Sequence, residues 1–501
     1  MMNFRMTRPA VCVAALLTSS AAFADVTAQQ VWDGWKANLD IYGAGGFTVG
    51  SESQTGNVLT VTDIATNMTE DGESVEANLA SLVFTENGDG TVSVTMSEEY
   101  PIKVTSEGET GPEVVSLILR HTGLQMTVSG TAEEMAYDFS AARYAIVVDS
   151  VETADSAVIN DMQLAMNNLA GNYTLSTDAS IANVAFAFGA DSIDVILDVT
   201  DTEDGVAVTL SGSIADLASA GAVSAPLEPT EGNDLENISI SGGYSFGAVN
   251  YLFSVDDAGM LLSGTATAAS GGTELSITED AFSFDAGTQG IAVNITGGEI
   301  PFPVTFSLAE YGLGITMPLS ASDTPSDFTA LLNISELTVN DEIWAMLDPG
   351  AVLPRDPLTL LIDIAGTATL LMDLTDQPTD GGMAMMDGPP GVLNSLSLNN
   401  LNLSVGGAQV TGSGAFTFDN NDMTTLPGMP RPEGEANFAI NGVNGLIGKL
   451  VQMGFIPEDQ AMMPRMMIGM FGLPVGDDML TTKFAIDAVG AITINGAPLP
   501  F

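Results

Sequence analysis

Along residues 328–374 apolar and polar side chains alternate with few interruptions. Phe328, Ala330, Leu332 and Ile334 take every second position, the spacing that buries one face of a β-strand. The next apolar residues, Leu337 and Val339, are out of phase. A one-residue slip sends side chains to the opposite face, so a β-bulge is predicted at Ser335 and Glu336. Residues 341–347 read as a short helix, with Asn340 as its cap, Asp341 and Glu342 at its positive end and Asp348-Pro349 as its stop. Residues 350–357, with Pro354 and Pro357, suit neither a helix nor a central strand. From Leu358 to Leu374 the apolar residues again fall on even positions. One strand of that length is unusual, so a bend or bulge is predicted at Gly366.

Alternation of this kind recurs through the chain. Val58 to Thr62, Leu79 to Phe84, Val92 to Met96, Leu124 to Val128 and the series Met135, Tyr137, Phe139 predict strands. Hairpin chemistry separates them at Asp71-Gly72, at residues 86–90 and at Asp204-Gly205. Residues 158–170 fit either periodicity, and their β surroundings favour a strand. The small, polar residues 217–234 suggest a linker, and residues 377–391, with Met383, Met385 and Met386, a flexible loop. Residues 27–43 form the clearest helix, capped by Thr27, with Val31, Trp32, Trp35, Leu39 and Tyr42 on one stripe. That stripe suits packing on a sheet, with ligand stacking as the alternative reading of the two tryptophans. Residues 441–454 and 457–471 suggest a helical pair, Pro457 at a first helical position and Pro464 kinking or dividing the second helix. A hairpin of residues 484–486 with 492–494 closes the chain. No repeat of fixed period is evident.

The run Asp341-Glu342-Ile343-Trp344-Ala345-Met346-Leu347-Asp348-Pro349, followed by Leu353-Pro354-Arg355-Asp356-Pro357, resembles domain-of-unknown-function family 2125, exported proteins of alphaproteobacteria. The likeness extends from residues 31–35 to Asn495-Gly496. It implies a family role, of unknown nature, for Trp344, Asp348, Pro349, Pro354, Arg355, Asp356 and Pro357. Glycine-punctuated strands also resemble large envelope proteins of the AsmA kind.

Composition narrows the setting. Basic Arg5 and Arg8, the apolar run from Ala10 to Leu17 and Ala22-Phe23-Ala24 read as a secretory signal peptide, residues 1–24. No later stretch reads as a transmembrane segment. The single cysteine, Cys12, lies in that leader, so no disulfide is expected in the exported chain. Removal of the leader leaves nine basic residues against 64 acids, a formal charge of −55. Such a field disfavours nucleic acid and anionic membrane surfaces as partners. It suits a solvated acidic surface, with a specific calcium requirement as the alternative. The organisation expected is a helix and β-meander over residues 25–225 and a second β region over 226–501.

Few residues carry chemistry. One histidine, His121, expected at a surface or edge, and no cysteine outside the leader leave no nitrogen–sulfur zinc set. No Gly-x-Ser-x-Gly elbow or phosphate-binding loop accompanies it. Paired carboxylates remain conceivable in a glycan hydrolase. Asp256-Asp257 and residues 419–422 read as turn caps, with calcium as the alternative. Met462, Met466 and Met470 share one helix face, and Met463, Met467 and Phe471 another. Core packing, an apolar-ligand or lipid groove, and a thioether copper(I) site are the readings in order of weight. The fold class expected is mainly β: long antiparallel β-meander sheets, open and curved or sandwich-like, with a few short covering helices. The function expected is periplasmic and non-enzymatic, binding or shielding an apolar molecule such as a lipid, or an envelope protein, without cofactor or metal. A carboxylate-based hydrolase and a calcium-dependent adhesive module are the alternatives.

Overall fold

The computed structural model describes residues 25–41, 47–70, 73–108, 111–152, 157–178, 180–227, 238–374, 389–426 and 428–499. Helix α1 (Ala28–Ile41) starts at a reciprocal cap: the Gln30 amide donates to Thr27 Oγ1 at 3.3 Å, and the Thr27 amide to Gln30 Oε1 at 2.9 Å. Strands β1 (Phe47–Thr55), β2 (Val58–Glu70), β3 (Glu73–Glu86), β4 (Val92–Met96), β5 (Glu99–Gly108), β6 (Gly111–Thr122), β7 (Gln125–Gly130) and β8 (Glu134–Glu152) follow. Next come β9 (Ala157–Asp178), β10 (Ile181–Asp201), β11 (Val206–Pro226), β12 (Ser239–Phe246), β13 (Val249–Asp257), β14 (Met260–Ala268), β15 (Ser270–Ile277) and β16 (Ala281–Gly297). β17 (Val304–Pro318), β18 (Ser326–Val339), α2 (Asp341–Leu347), β19 (Leu358–Leu370), β20 (Gly391–Val405), β21 (Ala408–Asp419) and β22 (Arg431–Asn441) continue the chain. It ends with α3 (Val443–Gln452), α4 (Glu458–Phe471), β23 (Leu473–Gly476), β24 (Met479–Ile486), β25 (Ile492–Ile494) and β26 (Ala497–Pro498). The strands join in one antiparallel 26-stranded sheet, the mainly β fold that alternation predicts.

One crease organises this sheet. In β10 the apolar residues are Val184, Phe186 and Phe188 up to the crease and Ile193, Val195 and Leu197 beyond it. The same change of phase occurs in β2, β3, β8, β9, β11, β16, β17 and β18. Pairing lapses at that line: β10 and β11 pass from Ala190↔Leu217 to Ser192↔Ala215, and β16 and β17 from Gln289↔Glu310 to Ile291↔Leu308. Asp63, Asn168, Asp216, Gly290 and Glu336 lie on it with φ values of 55°, 51°, 52°, 64° and 56°. A residue in this left-handed region absorbs the extra half-pleat and keeps the apolar set on one side of the sheet. Strands of 22, 21 and 21 residues in β9, β10 and β11 are thus each two ordinary strands end to end. The bulge predicted at Ser335 and Glu336 is one point on this line, where two residues of β18 face Thr359 alone.

The crease also splits the sheet into two arms in a repeated way. β3 pairs with β4 near its carboxyl end and with β5 near its amino end. β4 passes to β7 and β5 to β6, and β8 gathers both. β11 pairs in the same sense with β12 and β13, these with β15 and β14, and β16 gathers both. The unit β3–β8 is therefore repeated as β11–β16, and pairing is continuous across residues 225 and 226. The arm built on β4, β7, β12 and β15 continues through β17–β22 to β24. The other ends with β18, where α2 follows.

Several expectations change. Of residues 217–234, read as linker, 217–226 are instead the second half of β11, paired with β10 and β12, and 228–234 lie outside the described residues. β19 ends at Leu370 rather than running to Leu374. Gly366 lies between two register shifts with β20, and a Cβ there would sit 2.3 Å from the Ser395 carbonyl oxygen and 2.5 Å from the Phe328 ring. Asn340 stands at the N-cap position of α2, but its side chain makes no capping hydrogen bond: it donates to the Pro303 carbonyl and accepts from the Thr305 amide at 3.2 Å, tying the helix to β17. Pro457 precedes α4 as its cap, and α4 runs undivided through Pro464. In β18 it is Asn333, not the apolar set, that is fully buried. Residues 158–170 are strand. Residues 1–24, read as a leader, and Asp71-Gly72, Tyr42, Gly43 and the methionines 383, 385 and 386 lie outside the described residues.

Candidate functional site

The apolar side of this sheet is the largest chemical feature of the molecule. Its best-covered part is the amino end, where α1 lies across it. Val31 and Trp32 are fully buried there with Leu59, Val61, Leu82 and Phe84 of one arm and Ile64, Leu79 and Val49 of the other. A single cluster drawing on both arms shows that their apolar sides face the same way. Trp32 and Trp35 sit 6.0 Å and 5.6 Å from the Phe84 ring, the packing predicted for the tryptophan stripe. Glu86, on the same side, accepts the Ala28 amide at 3.0 Å and so holds the start of α1.

Tyr137, 2% exposed within this cluster, stacks on Tyr173 at 4.2 Å, and burial pushes both hydroxyls up from their ordinary range. Beyond this cluster the apolar side has no such cover. Further on, Ile146, Met162, Leu164, Tyr244, Phe306, Ile315 and Leu403 project to the same side and are each 36–49% exposed. Soluble monomers rarely leave so much contiguous apolar surface open unless it binds something. Aromatic rings on this side lie over cross-strand glycines: Phe188 over Gly171, Phe186 over Gly221, Tyr251 over Gly212, Phe253 over Gly264, Phe246 over Gly271, Phe328 over Gly366 and Phe438 over Gly412. The absent side chain leaves room for the ring to lie flat, so the surface is smooth as well as apolar. From β1 to β24 there are 19 ranks of strand, split pairs counting once and β23 lying beyond β24. At about 4.8 Å per rank this apolar face runs on the order of 85 Å along the hydrogen-bond direction.

Polar groups lie on the other side. Lys103, Arg120, Arg143 and Lys483 alternate away from the apolar set; Arg143 meets Asn167, Gln163 and Asp194, and Lys483 meets Glu435 at 2.6 Å. The depressions of about 780 and 570 Å³ are on this polar side, where Ser413, Asn437 and Lys483, or Ala170, Ala187 and Ala218, leave the surface low.

The residues singled out by sequence divide among several places. Met462, Met463, Met466, Met467 and Met470 are 53–69% exposed on α4, which buries only Ala461. Core packing is thus overturned for them: α4 packs on α3, burying its small Ala461, and leaves the long side chains exposed. Phe471 is half-buried at the helix end. The motif around Trp344 builds a closed turn. Asp348, 3% exposed, accepts the Leu353 amide at 2.7 Å, and the Val352 and Leu353 amides hold its carboxyl below the usual range. Arg355 pairs with Asp341, folding the connector back on α2, with Pro349, Pro354, Asp356 and Pro357 between and around them. No substrate-facing group emerges from this motif.

His121, expected at a surface or edge, is buried, 5% exposed. It lies at the crease, where the corner between β4 and β5 folds over it and its Nε2 is 3.0 Å from the Ser97 carbonyl oxygen. Asp419 and Asp422 hold Arg431 at 3.0 and 3.1 Å, and Asp422 also accepts from Thr424 and Thr425, the turn-capping role expected. Asp256 caps its hairpin through the Gly259 amide at 2.8 Å. Among the described residues no group of three His, Cys, Asp or Glu is placed to hold a metal ion. Among them, no helix is long and apolar enough to cross a membrane.

No curated protein and no solved structure matches the chain. Residues 253–500, from β13 onward, match the family described as an uncharacterized protein conserved in bacteria (DUF2125), which supports for this half the likeness read from the Trp344 motif.

Proposed function

We propose that this chain is a non-enzymatic protein of the bacterial cell envelope that binds elongated apolar molecules, lipid acyl chains foremost, along the apolar side of its creased sheet. One observation carries the reading: an apolar surface runs across successive strands, covered by a helix at its amino end, and Ile146, Met162, Leu164, Tyr244, Phe306, Ile315 and Leu403 on it are 36–49% exposed. Water against such a surface is costly at roughly 25 cal/mol per Å², so an apolar occupant is favoured. The leader-like residues 1–24 support export to the periplasm, as does the resemblance to exported alphaproteobacterial and AsmA-type envelope proteins. His121 buried at a strand corner, and Asp419 and Asp422 engaged by Arg431, support a binding rather than a catalytic role.

The test is native mass spectrometry of the protein isolated from a periplasmic extract without detergent. Several acyl-lipid adducts per chain are expected, exchangeable with added fatty acid. A ligand-free protein that takes up no fatty acid and gains no thermal stability from it would overturn the proposal.

A further inference from the structure

Resting on that reading, we infer that the apolar face takes acyl lipids whose head group ends in an ammonium, and discriminates against lipids with a net anionic head. Between Arg143 and Arg355 the chain has no Lys, Arg or His, while Asp and Glu occur 30 times. This span builds the sheet from the second half of β8 to α2 and carries six of the seven exposed apolar side chains, Ile146, Met162, Leu164, Tyr244, Phe306 and Ile315. Acyl chains on the apolar side place their polar ends at the rims, where the strands turn. The rim hairpins there carry Glu203 and Asp204 between β10 and β11, Asp257 between β13 and β14, and Glu279 and Asp280 between β15 and β16.

Outside the span, most cations are already paired. Among the described residues Lys36, Arg120, Arg143, Arg355, Arg431, Arg465 and Lys483 each pair with an acid, Lys103 stands opposite Glu76 in register, and Lys449 on α3 is a single cation without an ion pair. No cluster of free cations is left to receive a phosphate that lacks its own counter-charge. An ammonium terminus, by contrast, meets carboxylates on either rim. One leaflet of a bilayer core is about 15 Å deep, so an apolar face on the order of 85 Å long has room for several chains in a row. Each of those lipids would meet the same acidic rims.

The mature protein is incubated with vesicles of phosphatidylcholine, phosphatidylethanolamine and phosphatidylglycerol in equal amounts, re-isolated, and its bound lipid counted by native mass spectrometry at 20 mM and 500 mM salt. We expect the two ammonium lipids to exceed phosphatidylglycerol about tenfold at low salt, the ratio falling several-fold at high salt as the rim field is screened. The double variant Glu203→Lys, Asp204→Lys, altering exposed hairpin side chains, should raise the phosphatidylglycerol share several-fold. Equal uptake of all three lipids at low salt, or an unchanged share in the variant, overturns this inference and leaves apolar binding standing. Uptake of none of them removes apolar binding itself, and this inference with it.

Discussion

Replacing Leu164 by Glu separates the fold from the binding surface. Leu164 lies on the apolar side of β9, between Ile146 and Val195 in register, and is 40% exposed. Full burial of a leucine contributes about 1.5–3 kcal/mol, so the buried part of this side chain contributes about 1–2 kcal/mol. A folded chain typically holds about 5–15 kcal/mol in reserve, and Leu164→Glu should remain folded. Under an acyl chain the same carboxylate is stripped of water with no cation in reach, at about 2–3 kcal/mol from protein mutational data on buried polar groups. At 1.4 kcal/mol per decade that is roughly 30- to 150-fold weaker uptake. The control is one residue away: Gln163 points to the polar side, and Gln163→Glu keeps an acceptor for Arg143, 3.1 Å distant. Its stability should stay within about 0.5 kcal/mol of the parent and its lipid uptake unchanged. The measurements are urea unfolding and lipid adducts counted by native mass spectrometry. Equal uptake in Leu164→Glu and the parent, or an equal loss in both variants, would refute the assignment of the two sides.

Gly412→Ala places a Cβ 2.4 Å from the Phe438 ring and should cost about 1–3 kcal/mol; adding Phe438→Leu should recover part of it in a double-mutant cycle. Glu86→Ala removes the acceptor of the Ala28 amide, costing about 1 kcal/mol, seen as faster hydrogen exchange confined to α1 and its partners. The Asp422 carboxyl is held well below its ordinary value, first by the Thr425 hydroxyl and then by the Thr425 and Thr424 amides. A depressed folded-state value means its stabilisation is fully present above the unfolded value near pH 4 and is lost as pH falls below it. Asp422→Asn should therefore be destabilised relative to the parent at pH 7, and the gap in urea midpoint should narrow at pH 3. Met466→Gln, at a side chain 59% exposed on α4, should leave stability within about 0.5 kcal/mol; a loss above 2 kcal/mol would show that the methionines are packed after all.

The extent to which each feature was legible follows from its range. Strand and helix positions were visible because alternation and capping are local: Thr27 with Gln30, Pro457 before Glu458, and the hairpin glycines all act within a few residues. The phase slip at Ser335 and Glu336 was visible for the same reason, and identical slips in β2, β9, β10 and β11 were equally present. Only their alignment across neighbouring strands makes them a crease, and alignment depends on register. The buried position of His121 was not legible, since its cover comes from the β4–β5 corner 24 residues earlier, at Ser97. Nor was the exposure of the α4 methionines, because a heptad-like apolar stripe looks the same whether or not a partner face exists.

Local pattern alone therefore determined that this acidic polypeptide, with no cysteine beyond its leader-like start, forms long antiparallel strands with one apolar and one polar side. Tertiary structure decided that the apolar sides of both arms look the same way, that the unit β3–β8 recurs as β11–β16, and that α1 covers the amino end while the rest stays open. The physical reason is that alternation fixes on which side of its own strand a residue lies. Which strands neighbour it, and whether anything covers that side, is set by pairings between residues far apart in the chain.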